Sequence, residues 1–450
     1  MGCSVRIDRM AANKDRKRSS VSRKTISVVS SAGAAGLAAL PDDDLLETAQ
    51  RQTFNFFWEG AHPMTGLVFD CRTDRRDPTN HKTAVAGTGF GIMTIIVAVE
   101  RGWITREAAL DRLGRILDVL TAATVYHGAF PHFLDGRTGA TIPFSRKDDG
   151  GDLVETAFLC MGLLCARQYF QHDTRVEKNL RARITWLWEE VEWDWYTRDG
   201  SEALYWHWSP NNDWALNHKI RGWNECLITY VLAAAAPRYP IDPVVYHNGW
   251  ASGPEFLNGR SYYGIELPLG PPVGGPMFFT HYSFCGLDPR GLKDRYADYW
   301  EQNVRHVAIN RAHCIANPGN FKGFGESCWG LTASLDPEGY AAHAPDHDNG
   351  TIAPTASLAS LPYSPREVMS TLRHFLSRHG PKIWGRYGCF DAFCEQRNWF
   401  SDRYIAIDQG PIVLMMENHR TGLLWKLFMG IPEVQTGLRK LGFSSPYLAR

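Results

Sequence analysis

Arg106-Glu-Ala-Ala-Leu-Asp-Arg-Leu-Gly-Arg-Ile-Leu-Asp-Val-Leu-Thr-Ala-Ala123 carries the cleanest periodicity in the chain, and its reading decides the fold. Ala109, Leu110, Leu113, Ile116, Leu117 and Leu120 recur at spacings of three and four. An apolar stripe of that period lies on one face of an α-helix. Thr105 precedes it as a start signal. Working outward, Leu46, Ala49, Thr53, Phe56 and Phe57 form a similar stripe within Leu45–Phe57. Further helical patterns run over 84–100, 152–171, 175–192, 217–235, 290–309, 365–379 and 404–428.

Between the helices lie stretches rich in aromatic residues, Gly and Pro, at 125–150, 193–216, 238–289 and 313–363. Strand-like runs are short and scattered, as in Ala203–Trp208 and Tyr262–Leu267. No alternation of strand and helix supports a doubly wound sheet, and no fixed-period repeat is present. Many helices with long loops between alternate pairs predict a mainly α fold: a toroid of helical hairpins whose loops gather at one rim as a binding face. One large domain is expected from residue 41 to residue 450.

Hydrophobic residues make up 44% of the 450-residue chain and charged residues 21%, a globular profile. The formal net charge of zero hides an asymmetry. Residues 1–40 hold eight Lys or Arg and two acids, leaving 40 basic and 46 acidic residues beyond them, a net of −6. A body of that sign repels phosphate backbones, so nucleic acid is not an expected partner. The basic head leads into the weakly apolar, small-residue run Ile26–Leu40, which reads as an export signal. Ser22-Arg-Lys-Thr-Ile26 loosely matches a twin-arginine signal, and a disordered basic tail is the alternative. Periplasmic or secreted location is expected. No later stretch approaches about 18 uncharged apolar residues, so no membrane insertion is expected. A monomer is expected.

None of the ten cysteines forms a Cys-x-x-Cys pair, and Cys160, Cys165 and Cys226 fall in apolar helical runs as small buried hydrophobes. His343-Ala-Pro-Asp-His-Asp-Asn-Gly350 has ligand-type residues, but its spacing fits neither a zinc helix nor a calcium loop, and it reads as a loop and helix cap. Gly87-Thr-Gly-Phe-Gly91 lacks the strand and full spacing of a dinucleotide site. Gly325-Glu-Ser-Cys-Trp-Gly330 is one residue too long for a nucleophile elbow. No metal or cofactor is expected.

Aromatic residues abound, with 16 Trp, 17 Tyr and 22 Phe. Trp206, Trp208, Trp214, Trp223, Trp329 and Trp399 lie in or beside loops rich in Asn, Asp, His and Arg. A flat ring beside hydrogen-bonding groups suits a sugar, which has C–H faces and equatorial hydroxyls. Any single ring among them is better read as plugging a gap between loops, while the set together points to a carbohydrate cleft. Asp148-Asp-Gly-Gly-Asp-Leu-Val-Glu155 concentrates four acids in eight residues. Asp152 and Glu155, at i and i+3, share a helix face, and crowding raises one pKa toward that of a general acid. The same Asp-x-x-Glu pattern is also a capping box, and the residues alone leave both readings open. Other acids at the rim are Glu225, Glu326, Asp336 and Asp408; Arg221, four residues before Glu225, is read as its helix-face salt-bridge partner.

Seven spaced stretches carry a resemblance. They are Thr88-Gly-Phe-Gly91 with Ala98-Val-Glu-Arg-Gly-Trp103, Asp149–Phe158, Trp206-His-Trp-Ser-Pro210, Ile220-Arg-Gly-Trp-Asn-Glu225, Gly275–Phe279 with His281-Tyr-Ser-Phe284, Tyr340-Ala-Ala-His-Ala-Pro345, and Ala406-Ile-Asp-Gln-Gly-Pro411. Through them residues 44–432 resemble the bacterial glucoamylase-like domain proteins, a group that includes the endo-β-1,2-glucanases of glycoside hydrolase family 144. The resemblance implies an (α/α)6 barrel with its cleft at one mouth. It also implies hydrolysis of β-1,2-glucan to short sophoro-oligosaccharides with inversion at the anomeric carbon, on an oligo- or polysaccharide partner. The family's candidate acids map onto Asp148, Asp152, Glu155 and Glu225.

Inversion needs two carboxyls about 6.5–9.5 Å apart. Neighbours at i and i+3 have β-carbons only about 5–6 Å apart. Asp152 and Glu155 therefore need a partner from another segment, Glu225 first and Asp408 second. In this reading Glu225 or Glu155 protonates the leaving oxygen and Asp152 activates water. Trp206, His207, Trp208, Arg221, Trp223, His281 and Trp329 are the expected sugar contacts. An exo-hydrolase, a transglycosylase and a non-catalytic glycan-binding protein are the alternative functions.

Overall fold

The computed structural model describes residues 31–448 apart from residue 76. Residues 1–30, which hold the basic head and the first five residues of the Ile26–Leu40 run of the expected export signal, lie outside the described residues. Thirteen helices follow in chain order: α1 (Ser31–Ala38), α2 (Asp42–Trp58), α3 (Val85–Glu100), α4 (Arg106–Ala122), α5 (Leu153–Tyr169), α6 (Arg175–Glu189) and α7 (Leu227–Ala235), then α8 (Tyr299–Ala316), α9 (Pro354–Leu358), α10 (Pro365–Arg378), α11 (Ala406–Arg420), α12 (Leu423–Met429) and α13 (Pro432–Lys440). The protein is mainly helical, as its apolar periodicity predicts.

Burial sorts these helices into two kinds. Nearly every residue of α3, α5, α7 and α11 is buried, whereas α2, α4, α6, α10 and α13 bury one face. The buried kind pack on one another, α3 on α5 and α11, and α5 on α7. The amphipathic kind cover them from outside, with α4 on α3 and α6, α2 on α3 and α11, and α13 on α7. A helix apolar all round is stable only inside such a second layer. The α3–α5 contact is close because glycines meet there. A β-carbon on Gly89 would lie 2.4 Å from the Phe158 carbonyl oxygen, and one on Gly162 would lie 2.1 Å from that of Gly89.

Thr105 caps α4 by accepting from the Ala108 amide, as its position predicts. Two sequence expectations shift. The 217–235 pattern is helical only from Leu227. Asn217 and Gly222 take left-handed backbone angles, φ +48° and +79°, which no helix continues through. The 290–309 pattern becomes α8, starting at Tyr299, where Asp298 accepts from the Trp300 and Glu301 amides. Ahead of residue 41, α1 packs on α10, with Ala34 fully buried and Arg373 donating to the Ala38 carbonyl.

The loops form small antiparallel sheets. Gly151–Asp152 pairs with His207–Trp208, and Ala333–Asp336 with Gly339–Ala342. Cys71–Thr73 pairs with Arg403–Ile405, joining segments more than three hundred residues apart. Among the described residues no helix is long and apolar enough to cross a membrane. The nine described cysteines are all free, and eight of them are buried.

Candidate active site

Four buried helices bring their N-terminal ends to one place. Asp152 is the cap of α5 and Glu155 lies in its first turn; Glu225 sits in the turn just before α7; Asp408 is in the first turn of α11. Ala86, in the first turn of α3, donates its amide to Glu155 Oε2 at 2.6 Å. Unpaired amides and the helix dipole make such ends favourable for carboxylates.

The Asp148–Glu155 segment is both a cap and an acid cluster. Asp152 Oδ1 accepts from the Val154 and Glu155 amides at 3.0 and 2.9 Å. Its Oδ2 accepts from His132 Nδ1 at 2.9 Å and Trp206 Nε1 at 3.3 Å. Four donors thus hold one buried carboxylate. Glu155 does not close the capping box; it turns to α3, with Oε1 3.6 Å from His132 Nε2. Gly150 and Gly151 let the strand pass close to its neighbours, for a β-carbon on either would lie within 2.2 Å of the Trp208 carbonyl oxygen or the Tyr196 hydroxyl.

The electrostatics separate these groups. Burial would depress His132, but Glu155, Asp152 and Asp148 outweigh it and raise the imidazole to about 9. Burial raises Glu155 to about 7 against the pull of His132. Asp148 rises to about 6 through burial and the Asp152 charge, and His207 Nε2 stands 3.4 Å from it. Asp149 plays a different part. Ser209 and Asn211 donate to its carboxylate and keep it below its usual range, so it fastens the 209–212 turn.

Glu225 rises to about 7, first through burial and then through Asp152. Ser283 fixes its backbone, donating to the Glu225 carbonyl while accepting from the Ile228 amide. The expected salt bridge from Arg221 does not form. The segment is a turn rather than a helix, and Arg221 donates to the Gly249 carbonyl at 3.3 Å. Asp408 is buried and accepts from the Tyr282 hydroxyl at 3.3 Å. Beside it lies Asp391, which the sequence reading passed over; the charge of Asp391 acts on Asp408. Burial raises Asp391 to about 6 and Asp408 well above the carboxylate range. Asp391 Oδ2 also accepts from the Leu335 amide at 2.7 Å.

The expected sugar contacts divide. Trp206 is half-buried, bonded to Asp152 and stacked on His218 at 5.0 Å, so it lines the cluster. His207 packs beneath Asp148, and Trp208 leans away toward His127 and Trp195. Three expectations are corrected. Trp329 is fully buried, Trp223 packs among Trp250, Phe284 and Tyr299, and His281 is buried with Nε2 3.0 Å from the Ser360 hydroxyl. These rings fill gaps between loops. Glu326 is exposed, and Asp336 caps a hairpin turn through the Glu338 and Gly339 amides. Besides Asp391, the reading missed His132 as a partner of two acids; its ligand-like neighbours lie 20 and 23 residues away, so local spacing carries no signal.

A cavity of about 510 Å³ opens beside the Cys71–Thr73 strand and shares Asp70 with this neighbourhood. Asp70 is paired with Lys82 at 2.7 Å.

A double layer of helices that aims carboxylates from several helix N-termini into one site belongs to the glucoamylase-like class of folds. The glucoamylase of Saccharomycopsis fibuligera is similar in fold, with a TM-score of 0.54 at 8% identity over 88% of this chain and 97% of that one. A family described as "Putative glucoamylase" matches residues 217–432. An endo-β-1,2-glucanase from Chitinophaga pinensis, solved with sophorotriose and glucose, is 51% identical with a TM-score of 0.88, covering 91% of this chain and all of that one. An exo β-1,2-glucooligosaccharide sophorohydrolase (non-reducing end) from Parabacteroides distasonis is 46% identical over 423 residues, 89% of this chain. The chain spans 58% of the length of that relative. The chain belongs to the glucoamylase-like family that contains these β-1,2-glucan-cleaving enzymes.

Proposed function

We propose that the protein is a glycoside hydrolase that cleaves β-1,2-glucan to short sophoro-oligosaccharides with inversion of the anomeric centre. One observation carries the reading. Glu225 and Asp148 come from separate elements, both sense the Asp152 charge, and neither carboxyl accepts a side-chain hydrogen bond. Their environments set them at about 7 and about 6. Two raised carboxyls from separate elements beside one acid suit a division into acid and base. Glu225, raised by its burial, protonates the departing glycosidic oxygen. Asp148, ionised at neutral pH, takes the proton of the attacking water. Asp152, whose oxygens are taken up by four donors, is fixed in place beside them, where a carboxylate favours an oxocarbenium-like transition state. His132 and Glu155 hold it there. Asp408, paired with Asp391, is the reserve candidate for the base.

The family fold supports a closed (α/α)6 barrel, with α3, α5, α7 and α11 in its inner ring and the short sheets at its mouth. The basic segment within residues 1–40 supports export, which fractionation of expressing cells would test. Digestion of linear β-1,2-glucan by the purified chain tests the activity. New reducing ends, with the α-anomer first in proton NMR, are expected; the β-anomer would overturn inversion, and binding without product would overturn hydrolysis. Product lengths over time separate internal cleavage, as named for the Chitinophaga relative, from stepwise release of sophorose, as named for the Parabacteroides one.

A further inference from the structure

With Trp223 and Trp329 buried and Trp206 bonded to Asp152, further aromatic surface for a sugar is found among the exposed rings. Two large rings beside the carboxylates are exposed, Phe144 and Tyr340, each with 57% of its surface accessible. Phe144 stands 4.5 Å, centroid to centroid, from the ring of His132, the histidine that binds Asp152 and Glu155. It stacks on Phe133 at 5.7 Å, which fixes its orientation. Tyr340 lies on the outer strand of the 333–342 hairpin, opposite Leu335. The Leu335 amide is the one bound by Asp391, so the hairpin is tied to the Asp391–Asp408 pair. The Tyr340 hydroxyl is raised above its ordinary range first by burial and then by Asp408, Asp391, Asp70 and Glu225, which come from four separate segments. The ring is accessible while its hydroxyl end points toward the acids, which places the side chain at the edge of the cluster.

We propose that Phe144 and Tyr340 are a pair of aromatic sugar platforms, one over each half of the carboxylate cluster, which hold glucosyl units of the substrate. The inference rests on the proposed action on β-1,2-glucan and assigns the residues that position the chain. Each ring offers an apolar face to the C–H side of a pyranose, and folding leaves that face without a partner. Tyr340 adds a hydroxyl that can donate to a sugar oxygen close to Glu225.

Phe144→Ala, Tyr340→Ala, Phe144→Trp and Tyr340→Phe test this in the full chain against linear β-1,2-glucan, with Tm measured alongside. Uniform binding lost without chemistry raises KM and spares kcat. Each alanine variant should raise KM about tenfold, equivalent to about 1.4 kcal/mol, with kcat within about threefold. Tm should stay unchanged, and the ring-retaining variants should restore KM. Alanine variants with KM within twofold of the parent, or a KM that rises only together with a fall in Tm, would overturn the proposal. Calorimetric titration of sophoro-oligosaccharides keeps the two readings apart. A parent that binds but does not cleave overturns the hydrolase reading, and the dissociation constants of the alanine variants still judge the rings.

Discussion

Asp391 and Asp408 bury their carboxyl groups against one another, each with an oxygen that no protein N–H or O–H reaches. Two carboxylates have only acceptors, so the contact holds only while one of them keeps a proton. One side of the pair is anchored by the Tyr282 hydroxyl and the other by the Leu335 amide. With Asp408 on α11 and Asp391 bound to the Leu335 amide, the pair joins that helix to the hairpin that carries Tyr340.

Stability should report this proton. Both folded pKa values are raised, so the pair's contribution is complete below about pH 4 and is lost as pH rises through about 6 and beyond. In Asp391→Asn the amide donates permanently to Asp408, and that loss should shrink. Thermal unfolding from about pH 4 to about pH 9 should show a shallower decline of Tm for the variant than for the parent; parallel curves would refute the shared proton.

Glu225 has the same sign and a sharper consequence for activity. Its folded value of about 7 lies above the ordinary 4.5, so ionising it costs stability progressively above about pH 5. Glu225→Gln should lower kcat by about 10²–10⁴, while raising Tm at about pH 8 by about 2–4 °C and leaving it unchanged at about pH 4. Near-parental turnover would remove Glu225 from the acid role.

Asp148 and Asp149 are neighbours with opposite expectations. Among the described residues Asp148 accepts no side-chain hydrogen bond, so Asp148→Asn should reduce kcat by at least about 10² while leaving Tm unchanged at about pH 4 and raising it above about pH 6. Asp149 fastens the 209–212 turn through Ser209 and Asn211, so Asp149→Ala should cost about 1–2 kcal/mol of stability. Chemical denaturation and kcat, measured on both variants, check the pair; the reverse assignment would show that the local hydrogen bonds do not sort these acids.

Glu417 tests the scaffold apart from the chemistry. It lies nine residues beyond Asp408 on α11, about 14 Å along the helix. Its buried carboxylate accepts from Arg101 at 2.8 Å, Gln50 at 3.1 Å and Thr421 at 2.7 Å. Glu417→Ala strands a partly buried guanidinium and should cost about 3 kcal/mol. Urea unfolding should register that loss while kcat/KM per folded molecule stays within about twofold; a large loss of activity would mean that the end of α11 controls its beginning.

Most helices were legible because burial of one stripe imposes a period the sequence must keep, as in α4 and α5. The cap at Asp152 and the acid cluster around it were legible too, since an N-terminal turn advertises its acids locally. What escaped depends on contacts distant in sequence. His132 becomes a site residue only when the 132 loop meets α5. Asp391 lies in the apolar run Phe390-Asp-Ala-Phe393, where a lone acid is a signal only once Asp408 is known to face it. The fate of Trp223, Trp329 and His281 turned on burial, and an aromatic loop residue has the same letter whether it faces sugar or plugs a gap. The false helix over 217–226 had a local warning in Gly222.

The pairing of Cys71–Thr73 with Arg403–Ile405, and the packing of α2 and α3 on α11, have a bearing on how the chain is born. At about 5–20 residues per second, α3 leaves the ribosome tens of seconds before the helix that completes its surroundings. Over that interval a segment with almost no polar face must be shielded by something other than its final neighbours. The nascent polypeptide is therefore expected to depend on chaperones until residue 420 has emerged, and fragments ending before α11 are expected to aggregate rather than fold.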